Sequence, residues 1–305
     1  MDIPTLADVH AAARRIAPYA HRTPVLVSSS IDAMLGAQVF FKCENFQKVG
    51  AFKFRGACNA VQSLSDDAAA RGIATHSSGN HAAAVALAAR QRGVPAYIVM
   101  PRTAPEVKKA AVAGYGGEIA FCEPTLEARE TTLCEVVART GATFIHAYND
   151  PHVIAGQGTA TLELLEDVPD LDVVMAPVGG GGLLSGTAIA AEPERADDAR
   201  RSMGAGYIIP SVNPDTIADG LLTSLGDLTF VVIQRHVEQI VTASEEAIVA
   251  AMRHIWERMK IVVEPSAAVV PAALLEKKVD LSGLRVGIIL SGGNVDLDRL
   301  PWAAH

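Results

Sequence analysis

The apolar segment Val173-Val174-Met175-Ala176-Pro177 runs directly into Val178-Gly179-Gly180-Gly181-Gly182-Leu183-Leu184-Ser185-Gly186, and few folds accommodate such a run. β-branched residues, then four glycines, then the helix formers of Leu183 to Ala191 predict a strand, a tight loop and a helix N-terminus. In that geometry glycines let backbone N–H groups approach an anion closely, and the helix adds free N–H groups and its positive dipole end. The run fits neither common nucleotide loop: no placement reads G-x-G-x-x-G, and no Lys-Ser or Lys-Thr follows it. Spacing alone leaves two readings, a phosphate cradle and a plain glycine-rich turn of a parallel sheet.

The rest of the chain favours a parallel sheet. From Gly72, short apolar stretches alternate with helical ones: Ile73 to Thr75, Tyr97 to Met100, Ile119 to Phe121 and Thr143 to Ile145 predict strands. Between them Ala82 to Arg90, Glu106 to Val112 and Leu126 to Ala138 predict helices, so the sheet is covered on both faces. We read residues 72–148 as a small domain inserted into a larger one made of 1–71 and 149–305. In the larger domain, Leu6, Val9, Ala13 and Ile16 repeat at helical spacing behind Thr5, and Ile248, Met252, Ile255 and Met259 do so behind Ser244. Val39 to Lys42 and Val286 to Leu290 predict further strands, and Thr159 to Leu165 a helix.

With 305 residues, half of them hydrophobic, the chain can bury a large core. A net charge of −8 without a basic cluster argues against a nucleic-acid partner, which needs concentrated Lys and Arg. No run reaches membrane-spanning length and the start lacks a signal pattern, so the expected location is the cytoplasm. Cys43, Cys58, Cys122 and Cys134 are scattered without metal spacing, and read as reduced, buried or half-buried side chains.

Three further stretches carry chemistry. Lys53 stands between Phe52 and Phe54 ahead of a predicted helix, where desolvation would free a nucleophilic amine; the alternative is a lysine that snorkels to the surface. Thr75-His76-Ser77-Ser78-Gly79-Asn80-His81 places hydroxyls and an amide at a strand-to-helix turn, fit for a carboxylate or phosphate, or simply an N-cap cluster. Ser291-Gly292-Gly293-Asn294 follows a buried-strand pattern, and ligands of open α/β sheets sit at such C-terminal ends.

Taken in order, AFKFRGA, SSGNH, GGGGLLSG and SGGN resemble the fold-type II pyridoxal phosphate enzymes, closest to the serine racemase and serine/threonine dehydratase branch. The resemblance covers nearly the whole chain, including Thr216 to Gly220 and Trp256 to Lys260. It implies a two-domain α/β fold of tryptophan synthase β type, with parallel sheets flanked by helices and the active site between the domains. By the same resemblance Lys53, beside Phe52, matches the lysine that carries pyridoxal 5'-phosphate covalently, and Gly179, Gly180, Gly181, Gly182 and Leu183 match the loop that holds its phosphate. Asn80 matches the amide on the pyridine hydroxyl, and Ser291 the hydroxyl facing the ring nitrogen. A neutral hydroxyl there, unlike an Asp, does not hold the pyridine protonated, which favours loss of a β-substituent over transamination. The Ser77, Ser78, Gly79, Asn80, His81 turn matches the seat of the substrate carboxylate, and Ser78 matches the second acid/base of the racemases.

The implied reaction is β-elimination of L-serine or L-threonine to a 2-oxo acid and ammonia, with serine racemisation kept open by Ser78. Arg129 and Thr223 match positions near the substrate side chain; an arginine there would grip a second carboxylate, which points instead to a threo-3-hydroxyaspartate ammonia-lyase. A third reading, of another class, is a catalytically impaired binding protein that keeps the fold. The resemblance further implies a homodimer and a divalent cation, Mg²⁺ or else Ca²⁺ or Mn²⁺, on Glu192, the Ala196 carbonyl and Asp198; read cold, that stretch is an acidic helix start.

One departure stands out. Relatives carry roughly a dozen more residues between Ala191 and Glu192, about a helix end plus a short strand. Either the sequence skips residues there, or the larger sheet lacks a strand and leaves its neighbours unpaired. Two smaller departures are Ala147, where proline is usual after the histidine, and Ala51, where many relatives have serine.

Overall fold

The computed structural model describes residues 3–77, 79–184 and 189–303. Its contacts divide the chain into two compact units, one of residues 22–52 and 160–305 together with residue 1, the other of residues 2–21 and 53–159.

Ten strands are formed among the described residues. In chain order they are β1 (Val25–Val27), β2 (Gln38–Cys43), β3 (Ile73–His76), β4 (Ala96–Pro101), β5 (Glu118–Cys122), β6 (Thr143–Phe144), β7 (Val173–Pro177), β8 (Ile189–Pro193), β9 (Gln239–Ala243) and β10 (Arg285–Leu290). The first unit holds a six-stranded sheet in the order β1-β2-β10-β7-β8-β9, parallel throughout except where β1 runs antiparallel to β2. Strands β2, β7, β8 and β10 are buried along most of their length, as expected for a parallel sheet covered on both faces. One face is covered by the helices Glu245–Met259 and Pro265–Leu275, whose Ile248, Met252, Ile255 and Val269 pack against Phe41, Met175, Val241 and Ile288. The second unit holds the four-stranded parallel sheet β5-β4-β3-β6. Here the helix Asn80–Arg92 is built of alanines buried on nearly every side, which lets it lie close to its neighbours.

The larger sheet does not lack a strand, and this overturns one sequence expectation. The helix predicted over Leu183 to Ala191 does not reach the end expected for it: Ile189, Ala190 and Ala191 run as β8 between β7 and β9, with Ala190 opposite Ala176 on one side and Ile240 on the other. Residues 185–188 lie outside the described residues. The physical reason is the demand of the sheet. Without a strand in that slot, two buried neighbours would each leave a row of backbone donors and acceptors unpaired, a penalty far larger than the weak helix preference of Ile-Ala-Ala. Strand β9 was not anticipated either, and the helix expected from Thr159 begins earlier, at Pro151, and ends at Asp167.

Other local expectations hold. Leu6–Ile16, Glu106–Gly114, Leu126–Thr140 and Glu245–Met259 are helices. Ser244 caps the last of these through its hydroxyl, which accepts the Ala247 N–H at 3.2 Å. All four cysteines are free; Cys134 is exposed rather than buried or half-buried, because its helix turns that side to solvent. Among the described residues no helix is long and apolar enough to cross a membrane.

Candidate active site

In the first unit, β10 ends at Leu290 and delivers Ser291, whose side chain is buried. The Ser291 carbonyl accepts the Phe52 N–H at 2.9 Å, and Ala51 forms an antiparallel bridge with Gly292. Close backbone approach makes glycine necessary at 292: a Cβ there would lie 2.6 Å from Glu264 Oε1 and 3.2 Å from Ala51 Cβ. Glu264 is a buried carboxylate that sequence reasoning missed. Its signal was an isolated acid in the otherwise apolar run Ile261 to Leu275.

The glycine loop follows β7. Among the described residues the amides of Gly179, Gly180, Gly181, Gly182 and Leu183 donate to no backbone carbonyl, although Gly180 to Leu183 are buried. Buried amides of that kind need an acceptor, and a phosphate supplies several at once. The loop is held from behind: the Thr229 hydroxyl donates to the Gly180 carbonyl at 2.7 Å, and Gly181, with φ +88°, leaves no room for a side chain against Thr229 and Ile233. Thr229 is a second residue no sequence pattern singled out. Gly220 of the Thr216 to Gly220 stretch is tied in turn to the Ser266 hydroxyl, which accepts its N–H at 3.0 Å. These open amides, with the buried Ser291 hydroxyl, suit a phosphorylated aromatic cofactor.

In the second unit Lys53 is the first residue of the helix Lys53–Ser63 and half-buried, directly after Phe52 in the chain. Its Nζ donates to the Ala147 carbonyl at 3.1 Å. The helix start is held by Gln157, fully buried, whose Oε1 accepts the Gly56 N–H at 3.1 Å. Gly56 and Gly156 allow that crossing, since a Cβ on Gly156 would sit 2.6 Å from the Gly56 Cα.

His81 and His146 lie close enough to Lys53 to feel its charge, and His76 neighbours His146, with ring centroids 6.3 Å apart. Burial brings His81 down to about 3, with the nearby Lys53 charge adding to the effect. His146 falls to about 4 by burial, helped by His76 and Lys53, and burial also lowers His76. All three are neutral near pH 7, so none adds a positive charge against the ammonium. His146 Nδ1 accepts the N–H groups of Tyr148 at 3.2 Å and Asn149 at 2.9 Å, which puts its proton on Nε2. Its ring meets Tyr148 edge-on at 4.5 Å between centroids, and His76 stacks on Phe144 at 5.8 Å.

Ser77 follows β3, and Asn80 and His81 open the helix Asn80–Arg92, with Gly79 as its N-cap residue. The Ser77 hydroxyl accepts the Gly79 N–H at 3.3 Å, and Asn80 and Ser77 are half-buried. Ser78 lies outside the described residues. Arg129, on the helix Leu126–Thr140, acts electrostatically on His76, and its Nε is buried without a hydrogen-bond partner. Thr223 is exposed in the loop before the helix Asp227–His236.

The acidic stretch is folded around one carboxylate. Glu192, at the end of β8, accepts the N–H groups of Arg200 at 2.7 Å on Oε1 and Ala199 at 3.1 Å on Oε2. Burial raises Glu192 to about 8, with Asp198 and Asp197 adding to it, and burial raises Asp198 to about 6. Asp198 Oδ2 is buried without a partner, and Ala196 ends the short turn Glu194–Ala196 beside it in sequence. Two buried carboxylates, one with an orphaned oxygen, fit an oxygen-ligated divalent cation. Among the described residues no cluster of three or more His, Cys, Asp or Glu side chains is formed.

The chain is 54% identical over 314 aligned positions to the beta-hydroxyaspartate dehydratase of Paracoccus denitrificans, covering 99% of this chain and all of that protein. It is 50% identical to a serine racemase of Oryza sativa subsp. indica, over 96% of this chain and 93% of that one. The 314 positions exceed the 305 residues present, in keeping with a segment that relatives hold and this chain lacks. Among solved structures, that of maize serine racemase superposes with a TM-score of 0.95 at 47% identity, covering 97% of this chain and 95% of that one. The pyridoxal-phosphate dependent enzyme family matches residues 16–292, and with the parallel sheets and open glycine loop already described, the chain belongs to that family.

Proposed function

We propose that this protein is a pyridoxal phosphate-dependent ammonia-lyase that eliminates the β-hydroxyl of L-serine or L-threonine, giving a 2-oxo acid and ammonia, with serine racemisation at the same site. The observation that carries the reading is Lys53: it opens a helix one residue after Phe52, which is tied to Ser291, and its amine lies among imidazoles held neutral. When bound, pyridoxal phosphate supplies an electron sink for negative charge at the substrate α-carbon.

Lys53 would hold the cofactor through its amine and, when that amine is free, would take the substrate α-proton as general base. The open amides of Gly179 to Gly182 and of Leu183 would hold the phosphate, Asn80 would hold the ring hydroxyl, and Ser291 would offer the ring nitrogen a neutral hydroxyl. The turn Ser77 to His81 seats the α-carboxylate at a helix N-terminus. Ser78 would serve as the second acid or base.

A second reading has its own support. Arg129 Nε is buried and unpartnered, which suits a second carboxylate and hence threo-3-hydroxyaspartate; a relative at 49% identity is named an L-threo-3-hydroxyaspartate ammonia-lyase, and one at 54% a beta-hydroxyaspartate dehydratase. Steady-state assays of keto acid release from L-serine, L-threonine and L-threo-3-hydroxyaspartate decide between them. A kcat/KM for hydroxyaspartate far above the other two assigns the second; no keto acid from any, with cofactor bound, refutes both and leaves a binding protein. We further propose a divalent cation on Glu192, the Ala196 carbonyl and Asp198, residues 72–148 as the inserted small domain, and, on the resemblance alone, a homodimer.

A further inference from the structure

The segment that leads into Lys53 is strained. Val49 has φ 58° and ψ 13°, and Gly50 follows at φ +69°. Left-handed backbone suits Gly50, but a β-branched residue meets its own carbonyl there, and Val49 is the one such residue among the non-glycine positive-φ positions described, the others being Asn213, Lys260 and Lys277. Strain of this kind persists only where surrounding contacts over-determine it.

Those contacts come from the residues just after Ser291. Asn294 Nδ2 donates to the Val49 carbonyl at 2.6 Å, and its Oδ1 fills the space where a Gly50 side chain would stand. The Gly293 N–H donates to the Gly50 carbonyl at 2.9 Å, Ala51 bridges Gly292, and the Phe52 N–H reaches the Ser291 carbonyl at 2.9 Å. On its other side the same segment is fixed by the Glu264 N–H, which donates to the Gly292 carbonyl at 3.0 Å. The two segments therefore pair in a fixed register, with Asn294 and the Val49 turn closing one end and Ser291 and Phe52 the other.

We infer that Asn294 is a positioning residue: by holding Val49 left-handed it sets the register in which Phe52 meets Ser291, and so where Lys53 begins its helix. The inference rests on the proposed roles of Lys53 and Ser291. Removing the Asn294 amide lets Val49 relax to right-handed or extended backbone, which shifts everything between residues 49 and 53. A residue that tolerates left-handed backbone at 49 needs no such restraint.

The test uses the full chain as parent, Asn294→Ala, Val49→Asn and the double variant, each loaded with pyridoxal phosphate and each also as apoprotein. Asn294→Ala is expected to move the visible band of the lysine-linked cofactor and to lower kcat about tenfold with KM changed less than about threefold, since misplacement acts on the reacting groups rather than on binding. Adding Val49→Asn is expected to restore most of both, and the urea midpoints of the four apoproteins to show the same rescue. An Asn294→Ala protein with unaltered band and kcat overturns the inference, as does a double variant no better than Asn294→Ala. Should the parent itself form no visible band with added cofactor, the reading of Lys53 fails instead. The apoprotein midpoints then decide this inference alone, and additive effects at positions 49 and 294 overturn it.

Discussion

Alanine at Gly181 should damage both folding and cofactor binding, whereas alanine at Gly79 should leave the fold nearly untouched. At Gly181 the backbone has φ +88°, where an L-residue costs about 1–2 kcal/mol, and the new methyl would lie 2.8 Å from both Thr229 Cβ and Ile233 Cδ1. Neither atom is the free end of a flexible chain: Thr229 is pinned by its bond to the Gly180 carbonyl, and Ile233 is fully buried. Overpacking of that kind adds about 1–3 kcal/mol, for a total of about 2–5 kcal/mol. Gly79 has φ −130° and open space around its Cβ position, so alanine there should cost within about 0.5 kcal/mol. Urea denaturation of the apoproteins, followed by circular dichroism, measures the stability difference, and titration with pyridoxal phosphate followed in the visible measures affinity. A Gly181→Ala protein that matches Gly79→Ala in urea midpoint refutes the packing argument. One that is destabilised yet binds cofactor as tightly as the parent refutes the assignment of this loop to the phosphate.

His81 titrates at about 3 in the fold against an ordinary 6.5, so the unfolded chain binds the extra proton first; stability is full above about pH 6.5 and falls as pH drops toward 3, by up to roughly 4 kcal/mol. His81→Asn should flatten that part of the stability curve in urea melts between pH 7 and 4, and an unchanged slope refutes the burial argument. Lys42 is fully buried against Glu163 at 2.7 Å and the Thr23 carbonyl at 2.8 Å, so Lys42→Met should cost about 3 kcal/mol by stranding the carboxylate, read from the urea midpoint. If Arg129 grips a second carboxylate, Arg129→Ala should lower kcat/KM for L-threo-3-hydroxyaspartate about 10- to 100-fold more than for L-serine, the size of a charged hydrogen bond; equal losses would remove Arg129 from substrate selection.

The outline of both sheets was legible because it depends on local pattern. Val39 to Lys42, Ile73 to Thr75, Tyr97 to Met100 and Val286 to Leu290 are apolar and bounded by turn residues, and each became a strand. The candidate site was legible for a different reason: glycines at 179–182 and the sequence around Lys53 and Ser291 are unusual enough to mark a family. Thr229 and Gln157 were not legible, because each acts on a backbone group distant in sequence, Gln157 on Gly56 and Thr229 on Gly180.

By itself the sequence determined which segments are apolar enough to be buried, where the chain turns, and which residues have the chemistry to hold an anion or form a covalent bond. Only the tertiary structure decided that Ile189-Ala190-Ala191 is a strand rather than the end of a helix, since the unpaired edges of β7 and β9 outweigh a local propensity worth a few tenths of a kilocalorie per residue. It likewise decided that Val49 is left-handed, because what holds it there is a side chain 245 positions further along the chain. Local preference is short-ranged and weak; backbone pairing in a buried sheet is neither, and where the two disagree the pairing prevails.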